Sequence, residues 1–342
     1  MTGLEPSSAR TRRSSPSPTV AGRRLTDLSA LIGGAVWLAL AIGTVGGSIP
    51  LSPVERYVAL ATFVVVPLGL GLLEPMSDAA GSLPDRTVTP YRVAVGGQLP
   101  AALAVVAGLV APQGSPAAVA LVAPWLVVTG AIALVGLRRS LARGTGPLPE
   151  LAIDAALLYV PVAAVFLCLH AADISLRFAP IIVLLTGVHF HYAGFALPLV
   201  VGLTGRIAAT DDGGFPPTVA GRVSAAVTAV IAVGILLIAV GITFSPLLEV
   251  VAAAAFSAAV VGFALCLLRT VVPTVPRFAG ALFAVAAVSL CWTMALALAF
   301  AYSALPGTAT LVSIQEMIRW HGSVNAFGFA LPALLALRSL ER

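Results

Sequence analysis

The sequence predicts an all-α protein, a polytopic transmembrane bundle of about ten helices with both termini cytoplasmic. Three observations on composition carry this prediction. Hydrophobic residues make up 59% of the 342 residues and charged residues only 10%, and the mean hydropathy is +1.03. Because soluble domains carry roughly a quarter charged residues, we expect this chain to fold in a lipid bilayer.

The first 24 residues differ in composition from the rest of the chain. They are rich in Ser, Pro and Arg and include five arginines. Such a segment cannot bury enough apolar surface to offset the entropy lost on folding. We therefore expect residues 1–24 to be a disordered basic tail and residues 25–342 to form a single transmembrane domain.

Apolar runs of membrane-spanning length follow one another along the chain. A helix needs about 20 mostly apolar residues to cross the hydrocarbon core. Segmentation on that length predicts spans at 26–47, 54–73, 92–111, 117–137, 151–170, 178–204, 222–243, 247–268, 279–302 and 318–338. The connecting loops are short, so no soluble domain is expected between spans.

The arginines predict the orientation. All 19 basic residues are Arg, and cytoplasmic loops of membrane proteins carry the excess of positive charge. With ten spans, 16 arginines lie on the side of the N-terminus and three, Arg56, Arg177 and Arg319, lie opposite. This predicts cytoplasmic termini in a bacterial plasma membrane. Arginines facing anionic lipid headgroups explain the net charge of +5, so no nucleic-acid partner is expected.

Two histidines stand near the middle of the sixth span. Histidine is costly in hydrocarbon and normally faces the protein interior, a cavity or a ligand. His189 and His191 are two residues apart, so their side chains point about 200° apart on an α-helix. They are expected to serve two different neighbours rather than to bind one metal ion together.

The tenth span carries a second polar group. His321, Asn325 and Gly328 follow helical spacing and form one stripe, in which the glycine permits close approach of another helix. We expect this stripe to face the sixth helix. The predicted substrate or cofactor site therefore combines side chains of the sixth and tenth spans: His189, His191, Tyr192, His321 and Asn325. Any metal ion would be held by histidines of this set.

Prolines near the inner ends of three spans predict which helices are central. Pro67, Pro198 and Pro332 each remove a backbone hydrogen bond, and the freed carbonyl is tolerated in a membrane only when it is buried in protein. The segments around Pro198 and Pro332 share the sequence GFALP at an offset of 134 residues. This similarity suggests internal repetition. The acidic residues Asp154 and Glu316 are interpreted as helix-start carboxylates.

Three segments carry a resemblance to a known family. They are Ser52-Pro53-Val54-Glu55-Arg56, then His189-Phe190-His191-Tyr192-Ala193-Gly194-Phe195, and His321-Gly322-Ser323-Val324-Asn325-Ala326-Phe327-Gly328-Phe329. With them, the chain resembles the YndJ-like family of bacterial multi-pass membrane proteins over roughly residues 51–340. The resemblance implies Glu55, His189, His191, His321 and Asn325 as shared positions. It also implies a transporter-like protein, without naming a substrate.

A local likeness concerns residues 189–192 alone. The sequence HFHY is similar to an element of the haem–copper oxidases, in which two histidines hold two haems on opposite faces of one helix. This chain has only four histidines and presents the elements in the opposite order. The likeness implies a haem or a metal ion as a possible cofactor.

Three function classes stay open on the sequence. The leading hypothesis is a carrier of a small solute, coupled to protons through a histidine that changes charge near neutral pH. The second is an intramembrane haem or metal redox protein or enzyme. The third is a structural or assembly protein whose histidines only hydrogen-bond between helices. No nucleotide-binding loop, HExxH, GxSxG or CxxCH motif is present, so no enzyme class is assigned.

Overall fold

The computed structural model describes residues 18–73 and 85–341, and within them it forms a bundle of ten helices. In chain order they are α1 Leu25–Val45, α2 Pro53–Leu72, α3 Asp85–Val110, α4 Pro116–Arg143, α5 Leu148–Ala171, α6 Pro180–Ile207, α7 Val219–Phe244, α8 Pro246–Thr274, α9 Arg277–Ser303 and α10 314–339. This confirms the predicted all-α polytopic bundle.

Nine of the described helices, α1 to α9, are long and apolar enough to cross a membrane. The tenth, α10, is not among them, because its first half carries Arg319, His321, Ser323 and Asn325. The helix ends lie within three residues of the predicted spans except at four places: α3 and α10 begin seven and four residues earlier, and α4 and α8 each end six residues later. Both α3 and α10 begin several residues before their apolar runs, since backbone hydrogen bonding can continue beyond the hydrocarbon core.

The predicted N-terminal tail falls mostly outside the described residues, and the division into a tail and one domain stays a prediction. Residues 18–24, which the sequence placed in that tail, adopt a short antiparallel hairpin. Thr19 pairs with Arg24 and Val20 with Arg23. Positive φ angles at Ala21 (50°) and Gly22 (76°) form the two-residue turn.

Helices α2, α6 and α10 contact one another at the centre. The Tyr57 hydroxyl of α2 donates a hydrogen bond of 3.0 Å to the Ile318 carbonyl of α10. The Tyr192 hydroxyl of α6 donates one of 3.0 Å to the Tyr57 carbonyl. Gly69 of α2 lies where any side chain would overlap the α6 residue Phe195. The three helices that contain the predicted prolines therefore meet.

Each central helix widens into a π-helix that ends two residues before its proline: Ala61–Val65 before Pro67, Phe190–Ala196 before Pro198, and Val324–Ala330 before Pro332. Proline lacks an N–H, and its ring clashes with the carbonyl four residues earlier. A π turn relieves this clash because its hydrogen bonds close over five residues. The common geometry of the three segments supports the suggested repetition.

One of the freed carbonyls lies against a neighbouring helix. The Phe63 carbonyl stands four residues before Pro67, and Gly33 of α1 packs so closely on it that a Cβ at Gly33 would overlap the oxygen. Close approach of a glycine Cα–H to a carbonyl supplies a weak hydrogen bond. The first helix thereby covers a polar group that lipid could not satisfy.

Gly202 of α6 offers a test of the packing between α6 and α5. A methyl group there would overlap the Pro149 carbonyl and approach Ile153 Cγ1 to 2.6 Å and its backbone nitrogen to 3.0 Å. Because backbone atoms cannot move aside, Gly202→Ala should lower the free energy of unfolding by about 1–3 kcal/mol. Thermal unfolding in detergent micelles would measure this change.

The matched control is Gly96→Ala on α3, where nothing lies within 4 Å of the added carbon. We expect this variant to unfold at the wild-type temperature or above it. Equal stability of the two alanine variants would contradict the close contact between α5 and α6.

Candidate functional site

The structure brings His189 of α6 and His321 of α10 together. Their ring centroids lie 6.1 Å apart and the ring planes are inclined by 15°. His189 is the last residue before the α6 π-helix, and His321 lies inside the π-helix Met317–Gly322 of α10. π-Helical turns occur frequently at functional sites. We refer to these two side chains as the histidine pair.

A hydrogen bond within the protein determines which ring nitrogen of neutral His321 carries the hydrogen. Its Nδ1 lies 3.0 Å from the Thr293 carbonyl of α9, and a carbonyl can only accept. Nδ1 therefore carries the hydrogen, and Nε2 keeps its lone pair. The orientation of the ring is fixed by this bond, so the accepting nitrogen has a fixed direction.

His189 differs from its partner in having no hydrogen bond within the described part of the chain. More than a third of the residue is exposed, although it lies in the middle of a central helix. Both ring nitrogens are thus available to a proton or to a ligand. A histidine that merely joined helices would be expected to use at least one of them.

Asn325 and Gly328 share the face of His321, but that face meets α9 and not mainly α6 as predicted. Asn325 Oδ1 lies 3.1 Å from the Thr293 hydroxyl. Gly328 packs so closely that a Cβ would overlap the Ser289 side chain. The prediction that these residues form one stripe is therefore right. The predicted partner helix, α6, is wrong for Asn325 and Gly328, which contact α9. The short side chains of Ser289 and Thr293 make α9 the helix that α10 can approach.

Two tyrosines connect α2 with the two helices that carry the histidine pair. Gly322, next to His321, lies against the Tyr57 ring, where a Cβ would approach Cε2 to 2.9 Å. Tyr192, a predicted site residue, is buried and donates its hydroxyl to the Tyr57 carbonyl. Tyr192 thus connects two helices, and its hydroxyl hydrogen is not directed at the pair.

His191 points away from the histidine pair, as its spacing predicts. It is fully buried, and its Nε2 accepts a hydrogen bond of 3.1 Å from the Trp125 indole N–H of α4. Its Nδ1 lies 2.8 Å from the Gly187 carbonyl. Because an indole only donates and a carbonyl only accepts, both imidazole nitrogens are used in one neutral tautomer. His191 therefore joins α4 to α6.

Glu55 lies at the start of α2. Its carboxylate accepts a hydrogen bond of 2.6 Å from the Ser52 N–H, while Ser52 Oγ accepts one of 3.3 Å from the Glu55 N–H. This reciprocal arrangement is a capping box. Glu316 forms the same arrangement with Ser313 at the start of α10, as its sequence position suggested. Within the described residues no contact joins Glu55 to the histidine pair.

Sequence reasoning missed a buried ion network at the end of the bundle where α4 and α6 finish and α5 begins. Arg139 lies between two carboxylates, with Nε 2.7 Å from Asp154 Oδ1 and Nη2 2.7 Å from Glu150 Oε2. Arg143 Nη2 lies 2.5 Å from Asp154 Oδ2, and Arg206 Nε lies 2.5 Å from Glu150 Oε1. Asp154 is thus part of an interhelical network rather than only a helix-start residue.

A signal for this network was present in the sequence. Arg139 and Arg143 are four residues apart near the end of one helix, and Glu150 and Asp154 are four apart near the start of the next. Residues at this spacing share a helix face. A short turn therefore brings two arginines opposite two carboxylates. The pairing of Arg206 with Glu150 depends on where α6 packs, so the sequence around Arg206 does not predict it.

The donors present do not fit the two-haem arrangement that HFHY suggests. Both nitrogens of His191 are engaged, so iron would have to displace the Trp125 hydrogen bond. Within the described residues, no group of three or more His, Cys, Asp or Glu side chains is arranged to hold a metal ion. The free cysteines Cys168, Cys266 and Cys291 form no such group either. The histidine pair alone would offer two ligands.

Comparison with known proteins gives a family match over most of the chain. The sequence matches the family described as YndJ-like protein over residues 56–329. The chain belongs to the YndJ-like family. The match includes all three histidines of the predicted site and Asn325, whereas Glu55 lies one residue before it.

The YndJ-like relatives include the "Uncharacterized membrane protein YndJ" of Bacillus subtilis (strain 168). It is 33% identical to this chain over 183 residues, which are 53% of this chain and 31% of that protein. The similarity therefore covers less than a third of the relative's length. No solved structure matches the chain.

The bond between Trp125 and His191 predicts a stability effect. Trp125→Phe keeps an aromatic ring but leaves His191 Nε2 as a buried acceptor without a donor. Such a group costs about 1–3 kcal/mol. Thermal unfolding in detergent should show this loss, and a double variant that also carries His191→Phe should recover part of it.

Trp292→Phe on α9 is the control, because Trp292 is 55% exposed and makes no hydrogen bond within the described residues. If Trp125→Phe were no more destabilising than Trp292→Phe, the structural role of His191 would be wrong.

Proposed function

We propose that this YndJ-like protein is a carrier of a small polar solute, coupled to protons, in the bacterial plasma membrane. The observation that supports this function is the histidine pair: two imidazoles from different central helices face each other, and one of them has both nitrogens available. The proposed orientation, with both termini in the cytoplasm, rests on the distribution of arginines.

The spacing of the histidine pair favours binding of a single proton. Two positive charges 6.1 Å apart repel each other by about 3 kcal/mol at an effective dielectric constant of 20. The pair would therefore hold one proton rather than two. Its described neighbours Asn325, Thr293 and Tyr57 are uncharged, so the proton would change the net charge of the site. Histidine is the side chain suited to such a change near neutral pH.

The chemistry of the site favours an uncharged polar solute. His321 Nε2 is an acceptor, His189 offers a donor and an acceptor, and the Asn325 side-chain amide is close to His321. None of these groups carries a fixed charge that would select an anion or a cation. Hydrogen bonds from these three side chains could orient a small molecule between α6 and α10.

Ion pairs close the arginine-rich end of the bundle, which we assign to the cytoplasmic side. One group is the network around Arg139. The other connects the start of α1 with the end of α10: Arg24 pairs with Glu341 at 2.9 Å, and Arg338 pairs with Asp27 and with Glu341. A carrier closed at this end would admit its solute to the histidine pair from the opposite side.

Proton flux into vesicles tests the proposed function. Purified protein would be reconstituted with a pH-sensitive dye inside, and a potassium diffusion potential, negative inside, would be applied. The external buffer would contain a mixture of neutral amino acids, sugars and nucleosides. We expect wild-type vesicles to acidify, and His189→Ala and His321→Ala to reduce acidification to the level of protein-free vesicles.

His170→Gln is the matched control. His170 lies at the end of α5, where its Nε2 is 2.8 Å from Gln113 Nε2, away from the pair. This variant should retain wild-type flux. The proposal would be refuted if wild-type vesicles acidified no faster than protein-free vesicles. Proton flux at the wild-type level in both alanine variants would also refute a carrier that uses the histidine pair. A Soret band in the purified protein would favour the haem alternative instead.

A further inference from the structure

A small cavity lies between three helices, where α6 and α8 end and α7 begins. Its volume is about 20 Å³, and about 10–15 Å³ is enough to hold one water molecule. Each helix contributes hydroxyl side chains to the lining: Thr204 of α6, Ser224 and Thr228 of α7, and Thr270 of α8. None of the described residues that line the cavity is charged. The cavity therefore has the size and the polarity that suit water.

Close packing on the remaining sides keeps the cavity small. A Cβ at Gly262 of α8 would approach Cγ1 of Val227 on α7 to 2.9 Å. A Cβ at Gly205 of α6 would approach Cζ of Phe215, in the loop between α6 and α7, to 3.3 Å. Val227, Gly205 and Phe215 all line the cavity. A ligand larger than a water molecule or a single ion does not fit.

Two of the four hydroxyls have already used their hydrogens. Thr204 Oγ1 donates a hydrogen bond of 2.7 Å to the Val200 carbonyl, and Thr270 Oγ1 donates one of 2.7 Å to the Cys266 carbonyl. A hydroxyl has one hydrogen and two lone pairs. Towards the cavity, Thr204 and Thr270 can therefore only accept.

The two hydroxyls on α7 have no hydrogen-bond partner within the described part of the chain. Ser224 is only 9% exposed and Thr228 only 2% exposed. Thr243 of the same helix differs from them, because its hydroxyl donates a hydrogen bond of 2.7 Å to the Ala239 carbonyl. Burying a hydroxyl without a partner is unfavourable. Ser224 and Thr228 therefore need an acceptor that no described side chain supplies.

We propose that one ordered water molecule binds in this cavity. It accepts hydrogen bonds from Ser224 and Thr228 of α7 and donates to Thr204 of α6 and Thr270 of α8. The two lone pairs and two hydrogens of water match these two donors and two acceptors, and buried waters usually have about two to four polar partners. A sodium ion would be a buried charge without a group of opposite sign in the cavity, which is costly.

The water site is separate from the histidine pair. Thr204 follows His189 by 15 residues on α6, which is about 22 Å along a helix. The two sites share no residue. The inference therefore does not depend on the proposed carrier function.

Hydroxyl-radical labelling with X-ray pulses tests the site, because radicals that form at an ordered water oxidise the side chains beside it. The purified full chain would be irradiated in detergent, and the oxidised residues would be measured by mass spectrometry. We expect oxidation of Phe263, which lines the cavity. Phe256 on the same helix is the matched control: both residues are 6% exposed, but Phe256 packs against Gly234 and should be oxidised far less.

Thr228→Val provides a second test, in which the sign of the stability change is informative. If water binds, valine removes one of its partners, so the midpoint of thermal unfolding should fall by about 2 °C. Oxidation of Phe263 should fall to the level of Phe256. Without a bound water, the same change would remove an unpartnered buried hydroxyl and raise the midpoint. Thr243→Val is the matched control, because its hydroxyl bonds within its own helix, and it should leave oxidation of Phe263 unchanged.

Three results would overturn the inference. The first is equal oxidation of Phe263 and Phe256, and the second is a higher unfolding midpoint in Thr228→Val. The third is a midpoint that rises in the wild type, but not in Thr228→Val, when sodium chloride replaces choline chloride, because the cavity would then hold a cation. Ser224→Ala tests the site by the same two measurements if Thr228→Val does not fold.

Discussion

A backbone carbonyl that has lost its donor cannot be left facing lipid, and this constraint determines the centre of the molecule. Prolines also lie inside α3, α4 and α5, but in α2, α6 and α10 a π-helix ends two residues before the proline. Burial inside protein satisfies the backbone groups of such segments. Helices α2, α6 and α10 pack together, and the histidine pair lies beside these segments: His189 immediately precedes the α6 π-helix, and His321 lies in the π-helix Met317–Gly322 of α10.

Much of the fold could be predicted from the sequence, because a span needs only length and apolar composition. The central position of the proline helices followed from the same reasoning. Local spacing also predicted that His189 and His191 face different neighbours. The partner of each helix face could not be predicted. The stripe of Asn325 and Gly328 packs on α9, because the short side chain of Ser289 allows α10 to approach α9 closely. The burial of Asp154 likewise depends on which helix ends meet.

The three central histidines show that one residue type serves different roles in one membrane domain. His191 has both nitrogens bound by protein and so holds two helices together. His321 has one nitrogen fixed by α9, which leaves the other as an oriented acceptor. His189 has neither nitrogen bound within the described residues. Sequence alone ranked them equally, because the number of open nitrogens depends on Trp125 and Thr293, which lie on other helices.

The Trp125–His191 bond has a mechanical consequence. This bond and the Arg139 network connect α6 to α4 and α5 at two levels along the helices. Tyr57 and Arg338 connect α10 to α2 and α1. His189 therefore belongs to the group of α4, α5 and α6, and His321 belongs to the group of α1, α2 and α10. The two rings face each other where these groups meet. A shift of one group against the other would change the distance between the two rings and would strain the Tyr192–Tyr57 hydrogen bond, which joins α6 to α2 between the groups.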